Sequence, residues 1–287
     1  VKRGSLNFWI SQDALEKWQN PRLSGKRGRP LVYDDAMILM ALSIKNFFKM
    51  PLRATQGFLG SILEMMKLSF PVPDYTLLSK RAKSLGVPLL RLSRGESLDV
   101  VIDSTGLKIY GEGEWKVRTH GVSKRRTWRK IHLGVDPKSK EILAFVITTN
   151  DVKDSEVLED ILDQIPGTLN RVALDGAYDE RRCYEAVLKR SAVPVIPLRK
   201  GAKKGSIVPR NQAIQRIQET SLKEWKIEAN YHKRSLAETT MFRYKTIFGS
   251  NLSSRTFETQ STEAFVRVLC LNLITGLGMP DSYPMSA

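Results

Sequence analysis

Cysteine and histidine are scarce, with two and three in 287 residues, and each scarcity closes off a class of protein. Cys183 and Cys270 sit far apart inside helical patterns and form no metal-type pair, which argues against a disulfide framework and fits a reducing cytoplasm. The histidines are scattered, so a zinc site is not expected. No apolar run approaches the roughly 18 residues that a bilayer-spanning helix needs, so no membrane partner is expected. The start, where Lys2, Arg3 and Ser5 precede a short mixed segment, has no secretory h-region. Residue 1 is valine, and the expectation is either an unusual start or a missing N-terminal extension.

Acidic side chains are the minority charge: 30 against 46 basic ones, a net +16. Such a surface attracts phosphate, and nucleic acid is the first candidate partner. The excess is uneven, at +9 over residues 1–97 and +7 over residues 98–287. Forty-one per cent apolar residues argue against disorder, and the length allows two domains.

The first third reads as short helices. Ser11 can cap a helix that carries Ala14, Leu15 and Trp18 and ends at Asn20-Pro21. In the basic stretch that follows, Arg27-Gly-Arg29-Pro30 looks like the core of an AT-hook, whose arginines reach into a narrow minor groove. A basic inter-helix loop holding phosphates is the plainer reading. Residues 33–48 and 52–68 are apolar at helical spacing, and Met50-Pro51 separates them. Asp74 or Thr76 can cap a last helix over 77–85 that carries Lys80, Arg81 and Lys83. Several short helices with a basic final member are compatible with a helix-turn-helix arrangement, and Lys80 and Arg81 become candidate DNA contacts. Residues 86–97 read as a linker.

Beyond the linker the period changes to that of strands. Leu98–Asp103 is a β-branched run, with a turn expected at Ser104-Thr-Gly106 and a hairpin over 107–118 around Gly111-Glu-Gly113. Strands are expected over 128–135 and 142–149, joined by Asp136-Pro-Lys-Ser139, then over 171–175 and 193–198. Helices are expected after a cap at Asp154, over 179–190, and over 262–277, the last packing back on the sheet. Sequential strands joined by turns pair antiparallel, and strands joined by helices favour parallel crossovers. The expected fold class is α/β, a mixed sheet flanked by helices that resembles the ribonuclease H-like fold, preceded by a smaller all-helical region. The expected boundary separates residues 1–97 from residues 98–287.

Tyr231 to Lys245 lacks Gly and Pro and reads as a helix. At about 100° per residue, Tyr231, Arg234, Glu238 and Lys245 fall within roughly 60° of one another. Ala237, Met241, Tyr244 and Phe248 form an apolar stripe beside them. Taken alone, this is also what an ordinary amphipathic helix looks like. The spacing Tyr-(2)-Arg-(3)-Glu-(6)-Lys, however, resembles the signature around the catalytic glutamate of DDE transposases from bacterial insertion sequences. Gly111-Glu-Gly-Glu-Trp-Lys-Val-Arg118, Asp175-Gly-Ala-Tyr-Asp179 and Arg234-Ser-Leu-Ala-Glu238-Thr are similar to the insertion sequence 5 family, 903-like branch. The resemblance runs from Phe8 to Asp281. It implies a DNA transposase whose N-terminal helices bind the element's terminal inverted repeats.

The residues themselves make chemical sense of this. Asp103 and Asp175 each follow an apolar strand and precede a glycine within three residues. Either alone is more often a turn or capping residue; together with Glu238 they supply the hard oxygen ligands that Mg²⁺ prefers, with Mn²⁺ as a substitute. Two ions are expected, one activating water or a 3′-hydroxyl and the other stabilising the leaving oxygen. Asp99, on the same strand face as Asp103, is a competing ligand; Asp179 reads as a helix cap and is left out of the metal set. Tyr231, Arg234 and Lys245 join Arg27, Arg29, Lys80 and Arg81 as candidate DNA contacts, although Arg234 can also pair with Glu238 one turn on. Trp115, Lys116, Arg118 and His120 read more plainly as a buried ring and solvated cations than as contacts. The expected partners are double-stranded DNA, both terminal repeats and target, and further copies of the chain on it. The expected location is the bacterial cytoplasm, at the nucleoid. Two other functions share these features: a catalytically silent DNA-binding repressor or architectural protein, and a ribonuclease H-like nuclease without strand transfer.

Overall fold

The computed structural model describes residues 10, 12–19, 33–85, 97–109 and 128–278. Among the described residues four helices come first: α1 (Gln12–Gln19), α2 (Asp35–Phe47), α3 (Leu52–Met65) and α4 (Tyr75–Arg81). Then follow β1 (Leu98–Ile109), β2 (Trp128–Val135), β3 (Ile142–Thr149), α5 (Leu158–Asp163), β4 (Leu169–Ala173), α6 (Arg181–Lys189) and β5 (Val193–Val195). The chain ends with α7 (Val208–Glu219), α8 (Leu222–Glu228), α9 (Ser235–Phe248), β6 (Asn251–Leu252) and α10 (Phe257–Gly276). Two compact units emerge: Val1–Pro88 with Leu252–Ala287, and Leu89–Asn251. Among the described residues, no helix is long and apolar enough to cross a membrane.

In the helical unit, local chemistry sets the helix ends. Asp34 accepts from the Ala36 N–H at 3.0 Å to open α2, and Asp74 accepts from Thr76 and Leu77 N–H to open α4. Between α2 and α3, Lys49 takes a left-handed φ of 55° just before Pro51. The wide apolar arc of α2 buries Met37, Ile38, Met40, Ala41, Leu42 and Ile44. Sequence reading expects the final helix to pack on the sheet; instead α10 packs on α2, in the helical unit. The polar residues on α10 account for this: Glu263 and Arg267 form a buried ion pair, and Arg267 Nε donates to Asn46 Oδ1 of α2 at 3.4 Å. The Thr262 hydroxyl adds a bond to the Ala82 carbonyl at 2.6 Å. The helix also starts earlier than expected, because Thr256 and Thr259 form a reciprocal cap.

The second unit is a six-stranded mixed sheet of order β3-β2-β1-β4-β5, with β6 pairing β1. Turn-linked β2 and β3 pair antiparallel, as do β1 and β2, whereas helix-linked β4 and β5 run parallel, as β4 does to β1. Asp136 shapes the β2–β3 turn by accepting from Lys138 N–H at 2.8 Å. One sheet face packs with α5 and α6 through Val100, Ile102, Leu158, Ile161, Val172 and Val187. On β1 and β2 lies α9, burying Ala237, Met241, Tyr244 and Phe248, the stripe expected from sequence. This is the α/β mixed sheet flanked by helices that the sequence leads one to expect.

One strand differs from expectation. No turn follows Asp103: β1 runs on for 12 residues, because β2 stays paired with it through Ser104↔His132, Thr105↔Ile131 and Gly106↔Lys130. The Trp128 ring lies over Gly106, 3.4 Å from where a Cβ would stand. Most of the expected hairpin over 107–118 lies outside the described residues.

A tighter approach occurs at Gly134 in β2, where an added Cβ would lie 3.2 Å from Ile161 Cγ2 and 3.4 Å from Ala144 Cβ. Gly134→Val is expected to cost about 1–3 kcal/mol through overpacking, read as a lower denaturant midpoint. An unchanged midpoint would mean that α5 has room to retreat.

Candidate active site

Parallel pairing of β1 and β4 sets Val101 opposite Ala173. Asp103 and Asp175 lie two residues further along their respective chains, at matching heights of neighbouring chain segments roughly 4.8 Å apart. Asp175 is still extended, at φ −81° and ψ 174°, and accepts from Ala177 N–H at 2.8 Å to start a 3₁₀ turn, Gly176–Tyr178. Asp103 is half-buried; its Oδ1 accepts from Ser104 N–H at 2.9 Å and its Oδ2 from Arg234 Nη1 at 2.8 Å. Burial raises its pKa, and the like charge of Asp175 adds to the rise against the opposing bonds from Ser104 and Arg234.

The third carboxylate reaches this place through Arg234, whose Nη2 donates to Glu238 Oε1 while Nη1 holds Asp103. Sequence reading expects one continuous helix from Tyr231; instead Tyr231–Arg234 is a 3₁₀ turn and α9 begins at Ser235. The break comes from Asn230, whose left-handed φ of 53° ends the run from α8. Glu238 is the exposed member, at 57% for its side chain against 15% for Asp103. Among the described residues, no three His, Cys, Asp or Glu side chains are grouped to hold a metal. The cation that Asp103 and Glu238 hold is the Arg234 guanidinium.

The remaining expected residues fall in several places. The Tyr231 ring stands 5.9 Å from the Arg234 guanidinium and 6.4 Å from the Trp225 ring, backing the arginine. Lys245 points at β1 and donates to Thr105 Oγ1 at 2.6 Å. Asp99 is taken by Asn170 Nδ2 at 2.9 Å and by Lys233 at 3.5 Å. Asp179 does not cap α6, where Glu180 stands at the cap position without a side-chain bond; it is a buried acceptor for Arg210 at 2.6 Å, Arg199 N–H at 3.0 Å and the Tyr184 hydroxyl at 3.2 Å. In the helical unit, Arg81 is engaged by Asp35 and by the Tyr33 carbonyl at 3.1 Å, whereas Lys80 is exposed. Arg27, Arg29, Trp115, Lys116, Arg118 and His120 lie outside the described residues.

Two protein families, each described as a transposase DDE domain, match the sequence over residues 1–112 and 94–273. The chain belongs to the DDE transposases. Among solved structures, the piggyBac transposase synaptic complex with hairpin DNA is 11% identical with a TM-score of 0.42, over 94% of this chain and 73% of that one. The Drosophila P element transposase strand transfer complex is 10% identical with a TM-score of 0.34, over 90% and 68%.

Behind Asp103 this DDE transposase carries a polar network that sequence reading missed. Asp154 does not cap a helix: its Oδ2 accepts from Ser104 Oγ at 2.7 Å and its Oδ1 from Lys130 Nζ at 3.0 Å. His132 is fully buried beside it, with Nε2 3.0 Å from Thr148 Oγ1 and Nδ1 3.9 Å from Asp154 Oδ1. The Tyr178 hydroxyl is buried without a hydrogen-bond partner among the described residues, in the field of Asp154, Asp175 and Asp103. Side chains alternate along a strand, so Ser104 faces the sheet side opposite Asp103. Polar residues at paired positions of three adjacent strands, Ser104, His132 with Lys130, and Thr148, were the available signal.

Burial depresses the His132 pKa to about 4, against a partial rise from Asp154. The unfolded chain, with histidine near 6.5, therefore binds more protons between these values, and stability falls as pH drops from about 6.5 towards 4. The loss from this one group is expected to reach about 3 kcal/mol. In urea unfolding, His132→Gln should flatten that fall; equal slopes would mean that His132 titrates normally.

Proposed function

We propose that this chain is a transposase of the insertion sequence 5 family, 903-like branch, which binds terminal inverted repeats, cleaves 3′ ends and joins them to target DNA. The observation that carries this reading is the bridge that Arg234 makes between Asp103 and Glu238, with Asp175 close enough to Asp103 to raise its pKa. The donor set fits a hard divalent cation: all three are carboxylates, and the proton affinity of Asp103 is raised by burial and by Asp175. Asp103, Asp175 and Glu238 would hold Mg²⁺, two ions in all, with Mn²⁺ as a substitute. Such ions, when bound, activate the attacking oxygen and stabilise the leaving one.

Arg234 has two roles in this scheme. In the DNA-free protein it neutralises Asp103 and Glu238; with DNA present its planar fork turns to a phosphate and leaves the carboxylates for the divalent ions. Tyr231 supports that fork from behind, and Lys245 sets the position of α9 on β1 while adding positive charge beside the DNA path. Lys80, with Arg27 and Arg29, contacts the terminal repeats. Arg81 serves there only if Asp35 releases it. Copies of the chain assemble on the DNA, in the cytoplasm at the nucleoid.

A second reading has one observation in its favour: Arg234 already satisfies two of the three carboxylates, as in a silent DNA-binding derivative. Incubation with end-containing duplex and Mg²⁺ decides. Joined products are expected; cuts without joining would indicate a nuclease, and binding alone would indicate the silent protein. Asp103→Asn should lower joining by about three orders of magnitude, some 4 kcal/mol, with duplex affinity kept. Equal loss of both would make Asp103 structural.

Without DNA, Arg234→Gln should tighten Mn²⁺ binding about tenfold, a 1.4 kcal/mol gain seen by calorimetry. Unchanged or weaker binding would show that the guanidinium does not compete.

A further inference from the structure

Within the helical unit, a cleft of about 440 Å³ opens between α2, α4 and the start of α10. Half-buried Lys45 and exposed Lys83 and Arg255 line it, together with the hydroxyls of Ser79, Ser254 and Thr259. Glu263 is the carboxylate in its wall, and its oxygens are already engaged. Oε1 accepts from Ser253 N–H at 3.0 Å, from Ser253 Oγ at 2.9 Å and from Arg267; Oε2 accepts from Ser254 N–H at 2.8 Å. The charge of Glu263 is therefore shared with Arg267, and no ion pair reaches Lys45 among the described residues. Burial lowers the pKa of Lys45, Glu263 opposes this, and Arg267 adds to it.

Buried Arg267 and half-buried Lys45 share the one carboxylate of Glu263, which leaves one positive charge in excess, and a charge partly removed from water without a full counter-charge is costly. Lys83 and Arg255 add to that excess at the same opening, where exposed Glu258 faces Lys83. A cleft of this charge and size, with the Ser79 and Ser254 hydroxyls on its wall, has the chemistry of a phosphate site rather than an apolar one. We propose that it holds a phosphate of the DNA backbone, with Lys45, Lys83 and Arg255 as the ligands. The inference rests on the DNA-binding reading above and adds a site that the helix-turn-helix expectation, centred on Lys80 and Arg81, does not contain.

The test measures duplex affinity of the full chain against salt for wild type, Lys45→Met, the Lys83→Ala/Arg255→Ala double variant, and Lys223→Ala as an exposed control on α8. Lys45→Met is expected to bind at least about fivefold more weakly, with the log–log salt slope shallower by about 0.9, one phosphate contact. Its thermal midpoint without DNA is expected to rise, because methionine keeps the volume and removes the uncompensated charge; a purely structural lysine would lower it. The double variant should lose affinity in the same way, and Lys223→Ala should match wild type. Cleft variants that bind duplex with wild-type affinity and slope overturn the proposal and leave the DNA-binding reading standing. Should wild type bind no duplex, both fall. A second arm compares inorganic phosphate with chloride at equal ionic strength: protection of wild type by phosphate alone, with duplex binding unchanged in the variants, assigns the cleft to free phosphate and also overturns it.

Discussion

The double ion pair of Arg234 is the interaction on which the candidate site depends. One guanidinium ties Asp103, in the middle of β1, to Glu238, in the first turn of α9, and so joins the sheet to the helix that lies across it. Exposed pairs of this kind are worth 1 kcal/mol or less, but the Asp103 end is mostly removed from water, where losing one partner leaves a charge that the fold must otherwise solvate. Stability and chemistry pull in opposite directions here. Under the proposed function, the arrangement that suits the DNA-free protein fills the space between Asp103 and Glu238 that a divalent cation would take.

Each unit also has an internal polar anchor of its own. In the helical unit, Glu263 and Arg267 are buried within α10 and reach Asn46 on α2. In the sheet unit, Asp179 gathers Arg210, the Arg199 N–H and Tyr184, fastening the basic loop after β5 to the turn that follows Asp175. A second cluster, Ser104 with Asp154 and Lys130, braces β1 next to Asp103 from the opposite face. Ser104 thus serves both sides, its N–H orienting Asp103 and its hydroxyl reaching Asp154. Buried polar groups of this kind restrict a core to one arrangement because each alternative leaves a donor or acceptor unmatched.

Sequence reading succeeded where period and punctuation act locally. The strands β2 and β3, their turn at Asp136, the cap at Asp74 and the buried stripe of α9 all depend on residues within a few positions of one another. It failed where a distant partner overrides a local signal. Ser104-Thr-Gly106 has turn chemistry, yet β2 holds it in a strand; Asp154 and Asp179 have capping chemistry, yet Lys130 and Arg210 take their oxygens.

By itself, the sequence determined membership of the DDE transposases, through the spacing of Tyr231, Arg234, Glu238 and Lys245, and the order of strands and helices, through hydrophobic period. Only the tertiary structure decided that Arg234 is the cation between Asp103 and Glu238, that Lys45 has no ion pair among the described residues, and that α10 belongs with the first helices. Each of these is set by contacts between segments tens to hundreds of residues apart, and whether a charge is matched or uncompensated is a property of its surroundings in space rather than of its neighbours along the chain.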